Sequence, residues 1–237
     1  MNNDLIHSSI WGVLRGLSVH TLIYPLEVIK IRQQCSSHSE NCARIALNIL
    51  KQEGFGVFYR GLSPQLVKTS LKQVWCWQMI MGLPKLFQPL GELPAQALTG
   101  LSIATIDATI TTPLERMKIL SAYKGKTVFS FKNGWHGFAT HYRKLSVNWM
   151  TFLTAQHYFR SQYPPSEPLS ILQLTKIGIQ VAAVGSLIGA PFDVAHTLKQ
   201  INAHKVINYY RGWSINAVSL IIHNIASVTL IDKLNKI

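Results

Sequence analysis

A proline, a carboxylate, two cations and a glutamine crowd together in Pro25-Leu26-Glu27-Val28-Ile29-Lys30-Ile31-Arg32-Gln33-Gln34, at the end of an apolar stretch. The arrangement returns in Pro113-Leu114-Glu115-Arg116-Met117-Lys118 and in Pro191-Phe192-Asp193-Val194-Ala195-His196, with Gln200 beyond. Such residues can pair ions and exchange hydrogen bonds. The histidines stand at no nucleophile-base or metal-ligand spacing, so no catalytic residue, metal or cofactor is assigned. Three copies in one chain imply a threefold internal repeat.

A second set of ionisable and polar residues lies inside apolar sequence. Lys68 and Lys72 sit one helical turn apart within residues 62–83. His141, Arg143, Lys144 and Asn148 fall within 135–157, Arg15 and His20 within 6–24, Asp107 within 93–112, and His223 within 213–230. Charge at membrane depth is costly and normally faces a protein interior or an aqueous cavity. These residues therefore mark a path for a polar solute.

The elements that must carry them are six apolar stretches, 6–24, 62–83, 93–112, 135–157, 169–190 and 213–230. Each is near the ~20 residues that cross a hydrocarbon core about 30 Å thick as a helix. They form three hairpins in one domain, with repeats at about 1–84, 85–163 and 164–237. Proline-rich loops at 84–93 and 163–168 separate the repeats. Within repeat 1, Ala43, Ala46, Leu47 and Leu50 predict a short amphipathic helix over 42–52. Gly12 and Gly16, at G-x-x-x-G spacing, invite close approach of a neighbouring helix.

Composition agrees with a membrane protein. Of 237 residues 48% are hydrophobic and only 14% charged, against about 25% charged in soluble domains. A net charge of +13 attracts nucleic acid, anionic lipid or an anionic solute alike. A soluble nucleic-acid binder needs exposed cation stripes on a recognisable fold, and the six apolar stretches argue against one. Cys35, Cys42 and Cys76 fit neither a metal site nor a disulfide framework. Residues 1–10 resemble neither a secretory signal nor an Arg-rich presequence, so targeting information is expected inside the chain.

The pattern P-x-[DE]-x-x-[KR]-x-[KR]-x-Q followed by [DE]-G-x-x-x-x-[WYF]-[KR]-G resembles the repeat signature of the mitochondrial carrier family. Repeat 1 matches throughout, at Pro25, Glu27, Lys30, Arg32, Gln34, Glu53, Gly54, Tyr59, Arg60 and Gly61. Repeat 2 has His136 in place of a cation and Phe129-Ser130 in place of acid-glycine. The resemblance implies an all-α membrane protein: six transmembrane helices as three pseudo-symmetric pairs around a central cavity, the odd-numbered ones kinked at Pro25, Pro113 and Pro191. It also implies a short matrix-side helix after each odd span. Pro25 to Gly61 is 36 residues, but Pro113 to Gly137 only 24 and Pro191 to Gly212 only 21. That helix is therefore expected intact in repeat 1 and reduced or missing in the others.

Carried over residue by residue, the resemblance implies a matrix gate of three pairs: Glu27 with Lys118, Glu115 with His196, and Asp193 with Lys30. Gln34 and Gln200 would brace them, and repeat 2 has Ala122 at that place. The Glu115–His196 pair is expected to be the softest, since histidine is only partly protonated near neutral pH. The outer-gate positions are Met81, His157 and Asp232, which with Arg160 and Asn235 leave one bridge, Asp232 to Arg160. Solute contacts fall on Lys68, Lys72, Lys144, Asn148, Ser219 and His223, with His20 and Arg15 adding to the site.

Three lysines in one cavity imply a multiply charged anion. A nucleotide or another phosphorylated metabolite comes first and a di- or tricarboxylate next, with Trp75, Trp149 or Tyr142 available to stack on a base. The function implied is anion transport across the mitochondrial inner membrane by alternating access. The alternative is a non-transporting carrier-like adaptor or scaffold. Expected partners are an anionic small molecule and membrane lipid, including cardiolipin at Arg60-Gly61 and Arg211-Gly212; no nucleic acid is expected, and the chain is expected to be a monomer. A divergent eukaryotic paralogue and a microbial protein delivered to host mitochondria both fit this reading.

Overall fold

The computed structural model describes residues 2–36, 41–125, 133–164, 169–203 and 208–234, with side chains from residue 10 to residue 229. Among them every regular element is helical: α1 Asn2–Cys35, α2 Cys42–Glu53, α3 Leu62–Phe87, α4 Glu92–Lys124, α5 Phe138–Arg160, α6 Ile171–Gln200 and α7 Trp213–Leu234. Short 3-10 turns lie at Phe55–Tyr59 and Gln88–Leu90. The six long helices close a ring in which α1 packs on α3, α3 on α4, α4 on α5, α5 on α6, α6 on α7, and α7 on α1. The proline-bearing helices α1, α4 and α6 also touch one another.

The ring buries many polar side chains beside apolar helix contacts such as Ile103 and Ile177, and it exposes many apolar ones. Gln65, Thr69, Thr99, Asp107 and Glu115 are buried, whereas Leu22, Val74, Ile110, Leu187 and Ile222 are exposed. A protein surrounded by water buries the opposite set. This inversion lowers the hydropathy of each helix taken whole. By length and composition alone, α6 is the one helix among the described residues apolar enough to cross a membrane, where the sequence reading expects six.

The helices run through their prolines. Pro25, Pro113 and Pro191 lie inside α1, α4 and α6, so the ion-pairing residues occupy continuous helix beyond the expected ends of the spans. A helical proline leaves the carbonyl four residues earlier without its donor. In α4 that carbonyl belongs to Thr109, and the Trp135 indole N–H donates to it at 3.1 Å. Residues 84–93 also differ from the expected loop. Pro84 is helical near the end of α3, and α4 has begun by Glu92.

The amphipathic helix of repeat 1 is present as α2. Asn41 caps its start by accepting from the Ala43 N–H, and Gly54 at φ 81° ends it. Its inward residues are Ile45 and Ile49, packed with Val57 and Phe58, while Leu47 and Leu50 are exposed. Between α4 and α5, and between α6 and α7, the described residues contain no α-helix. Phe129 and Ser130 lie outside the described residues.

Three glycines start the intervening helices α3, α5 and α7. At Gly61 the backbone is left-handed, φ 90°, and a Cβ would lie 2.9 Å from the Lys118 carbonyl oxygen. Gly137, φ 78°, meets the Gln200 amide in the same way at 2.6 Å. An L side chain is disfavoured at both on backbone grounds. Each glycine thus docks the start of one helix against the end of a proline-bearing neighbour, which fixes the floor of the ring.

Candidate functional site

Just beyond the prolines, side chains from five helices meet in one ionic network. Glu27 on α1 lies 3.3 Å from Lys30 and 3.5 Å from Lys118 of α4. Asp193 on α6 lies 3.3 Å from Lys30 and accepts a 2.9 Å hydrogen bond from the Gln34 amide. Glu115 on α4 is 3.0 Å from Lys118, 3.3 Å from Lys144 of α5, and also bonded to Lys68 of α3. Lys144 reaches on to Asp193 at 2.8 Å. Lys30 donates to the Asn216 side chain of α7 as well, at 3.2 Å. All three carboxylate residues and all four lysines are mostly shielded, so removing any one of them leaves a buried charge uncompensated, a far larger cost than at a surface ion pair.

The proline-adjacent residues were expected to form three pairs, and two are close: Glu27 with Lys118 and Asp193 with Lys30. Glu115 and His196 share no hydrogen bond. His196 is fully buried, its Nδ1 lies 3.3 Å from the Thr140 hydroxyl, and its ring stacks on His141 at 4.8 Å. Lys144 bridges Glu115 and Asp193 instead. A lysine stem spans the gap between α4 and α6 from α5, and its ammonium can serve two carboxylates at once. Gln34 sits beside the Lys30–Asp193 pair as expected of a brace. Gln200 donates to the His136 carbonyl at 3.0 Å and accepts from Arg116 at 3.2 Å, so it secures the start of α5 rather than an ion pair.

Next to the network, sharing Lys68 with it, the ring lines an open cavity of about 250 Å3. Of the expected solute contacts, Lys68, Lys72, Asn148, His20 and His223 line it, while Lys144 and Ser219 do not. His20 and His223 meet edge to face at 4.4 Å, and the Gln65 amide nitrogen lies 3.0 Å from His20 Nε2. The expected concentration of free positive charge is largely compensated. Lys68 is tied to Glu115, and Lys72 lies 3.2 Å from Asp107 and 4.6 Å from the centre of the Trp149 ring. Asp107 also accepts from the Trp149 indole at 3.2 Å. The sequence marks Asp107 as a carboxylate within a span, but helical spacing alone does not show which lysine across the ring it meets.

At the opposite end of the ring, His157 of α5 lies 3.1 Å from Glu92, the first residue of α4. Glu92 had no expected role. The Arg160 guanidinium donates to the carbonyls of Tyr163 and Pro164, each at 3.5 Å. The Asp232 side chain and Asn235 lie outside the described residues. Of the two expected lipid positions, Arg60 is bonded to Glu53 at 2.9 Å and Arg211 to the Ser36 carbonyl.

Glu115, His141 and His196 place three potential metal-ligand atoms within 4.8 Å of one another. Lys68, Lys118 and Lys144 already surround the Glu115 carboxylate. Their charge opposes a dication there, and the site is an ion-pair network rather than a metal centre.

Comparison with known proteins gives a consistent neighbourhood. Residues 2–89 match the family model described as mitochondrial carrier protein. The mitochondrial arginine transporter BAC2 of Arabidopsis thaliana is 31% identical over 40% of this chain and 34% of its own length. The mitochondrial carrier-like protein L276 of Acanthamoeba polyphaga mimivirus is 29% identical over 63% of this chain and 55% of its own. The mitochondrial 2-oxodicarboxylate carrier 2 of Saccharomyces cerevisiae is 26% identical over 80% and 72% respectively. The chain thus spans about a third to a little over half of the first two relatives.

Proposed function

We propose, from the chain's membership of the mitochondrial carrier family, that it carries a small anionic solute across the mitochondrial inner membrane by alternating access. The observation that carries this reading is a cavity whose charged lining residues are Arg15, Lys68 and Lys72, with no carboxylate among the lining residues, set beside a closed ionic network. Cations at that depth favour an anion. A network of pairs between α1, α4 and α6 can be exchanged for other pairs as those helices move apart, which is what a gate must do.

Within the anions, nucleotides and other phosphorylated metabolites are the first choice, because lysine and arginine both bind phosphoryl oxygens strongly. Trp149 lines the cavity beside Lys72, whose ammonium sits over its ring. The relatives do not make the choice, since one is named for arginine and another for 2-oxodicarboxylates. Glu27, Lys30, Gln34, Glu115, Lys118, Asp193 and Lys144 are the matrix gate in this reading. Lys68, Lys72, Asn148, His20 and His223 face the solute. His157 with Glu92 holds part of the outer end, and lipid binds near Arg60 and Arg211.

A thermal-unfolding screen of the purified chain tests the reading. Ligands that bind only the folded state raise its stability by mass action. ADP, ATP or inorganic phosphate is expected to raise Tm, with di- and tricarboxylates weaker and neutral adenosine without effect. No shift with any anion, on a chain that unfolds cooperatively, favours the adaptor reading instead.

A further inference from the structure

Arg15 differs from every other charged residue in the cavity wall. It projects from α1, about 15 Å along the helix from Pro25 at 1.5 Å per residue, and its Nη1 donates to the Ser227 hydroxyl of α7 at 2.6 Å. The guanidinium carbon lies 5.6 Å from the centre of the Trp77 ring of α3. No carboxylate pairs with it among the described residues, whereas Lys68 and Lys72 each have one. Its Nε is buried without a hydrogen-bond partner. An unpaired guanidinium in a shielded site is costly, and something must offset it.

The same corner of the cavity holds other unmet groups. Gln73 and Gln65 are each only 4% exposed, both line the cavity, and the side-chain oxygen of each lacks a partner. Buried amide oxygens of this kind are normally satisfied. α1 and α3 are also held close here, since a Cβ on Gly12 would lie 1.9 Å from the Trp77 indole nitrogen. Among the described residues the corner thus offers a cation without a carboxylate partner, held by the Ser227 hydroxyl and the His223 carbonyl, and two amide oxygens without partners. Asn224 and Ser227 of α7 complete it.

We propose that Arg15 is the primary anchor of the transported solute, gripping one oxyanion, a carboxylate or phosphoryl group, while Gln73 and Gln65 accept from N–H or O–H groups elsewhere on the same molecule. This rests on the transport reading above and deepens it. The solute is an anion that also carries hydrogen-bond donors. Lys68 and Lys72, already neutralised by Glu115 and Asp107, tune the site rather than anchor the ligand. The flat, five-donor guanidinium suits two parallel bonds to an oxyanion, which a lysine cannot reproduce.

The test is ligand-dependent unfolding of the full chain in detergent with ADP, inorganic phosphate, malate and succinate, on wild type, Arg15→Gln and Arg15→Lys. Succinate matches malate without the hydroxyl donor, so malate is expected to bind better than succinate. ADP against malate tells a phosphoryl group from a carboxylate. Arg15→Gln is expected to need at least tenfold more ligand for the same Tm shift while its ligand-free Tm is equal to wild type or higher, because an unpaired charge has been removed. Arg15→Lys is expected to be intermediate, and it carries the test if the glutamine variant does not fold. A merely structural role for Arg15 instead lowers the ligand-free Tm and leaves the ligand dependence unchanged, which overturns the proposal. Wild-type protein that responds to none of the four anions overturns the transport reading along with it.

Discussion

Lys144 was expected to contact solute, yet it closes the network between Glu115 and Asp193. His196, expected to do so, is packed against His141. The distinction has an energetic signature. Removing one member of a buried ion pair leaves its partner uncompensated and costs about 3–5 kcal/mol, and Lys144 serves two partners. Lys144→Met is therefore expected to lower the unfolding free energy by about that amount. His196→Gln, which loses one long hydrogen bond and a ring contact, is expected to cost about 1–2 kcal/mol. Denaturant or thermal unfolding of both variants checks the order, and equal losses would return His196 to the network. Asp107 makes a second residue-scale prediction. Asp107→Asn frees Lys72 from its ion pair, so the cavity becomes more positive. Titration of ATP against AMP should then show the more highly charged nucleotide gaining about tenfold over wild type.

The elements were legible to different degrees, for physical reasons. Residues 25–34 announce their own importance because charge beside a long apolar run demands a partner. α2 was legible from its period, but the inward face is set by Ile45 and Ile49, which meet Val57 and Phe58 only after the chain turns at Gly54. A helix end was misjudged at Pro84, which is helical near the end of α3 where a loop was expected. The proline rule counts the lost hydrogen bond, while the fold can supply another donor, as Trp135 does for Thr109. Partners across the ring were the least legible, because spacing fixes a side chain's direction on its own helix and not the reach of a lysine from the next one. At the element scale Gly61 is expected to be more sensitive than Gly137. A left-handed non-glycine residue costs about 1–3 kcal/mol at either position. At Gly61 the added Cβ also meets the Lys118 backbone carbonyl, whereas at Gly137 it meets the movable end of Gln200. Thermal unfolding of Gly61→Ala and Gly137→Ala should place the first lower.

At the scale of the whole molecule, polar residues are buried between the helices, and the network joining α1, α4 and α6 adjoins the cavity at Lys68. In the account proposed here the solute enters from the end away from the network, and the network must part to release it. A substitution that breaks the network and one that removes the solute anchor should therefore fail differently. Lys144→Met is expected to leak, moving solute without counter-solute inside, and Arg15→Gln to move little under either condition. Exchange of labelled ADP or phosphate into liposomes containing the purified full chain, loaded with the same solute or left empty, measures this directly. Uptake by wild type is expected only when counter-solute is present, at rates well above protein-free liposomes. Uptake by the folded wild-type chain no faster than in protein-free liposomes, for phosphorylated and carboxylate anions alike, would contradict the transport reading.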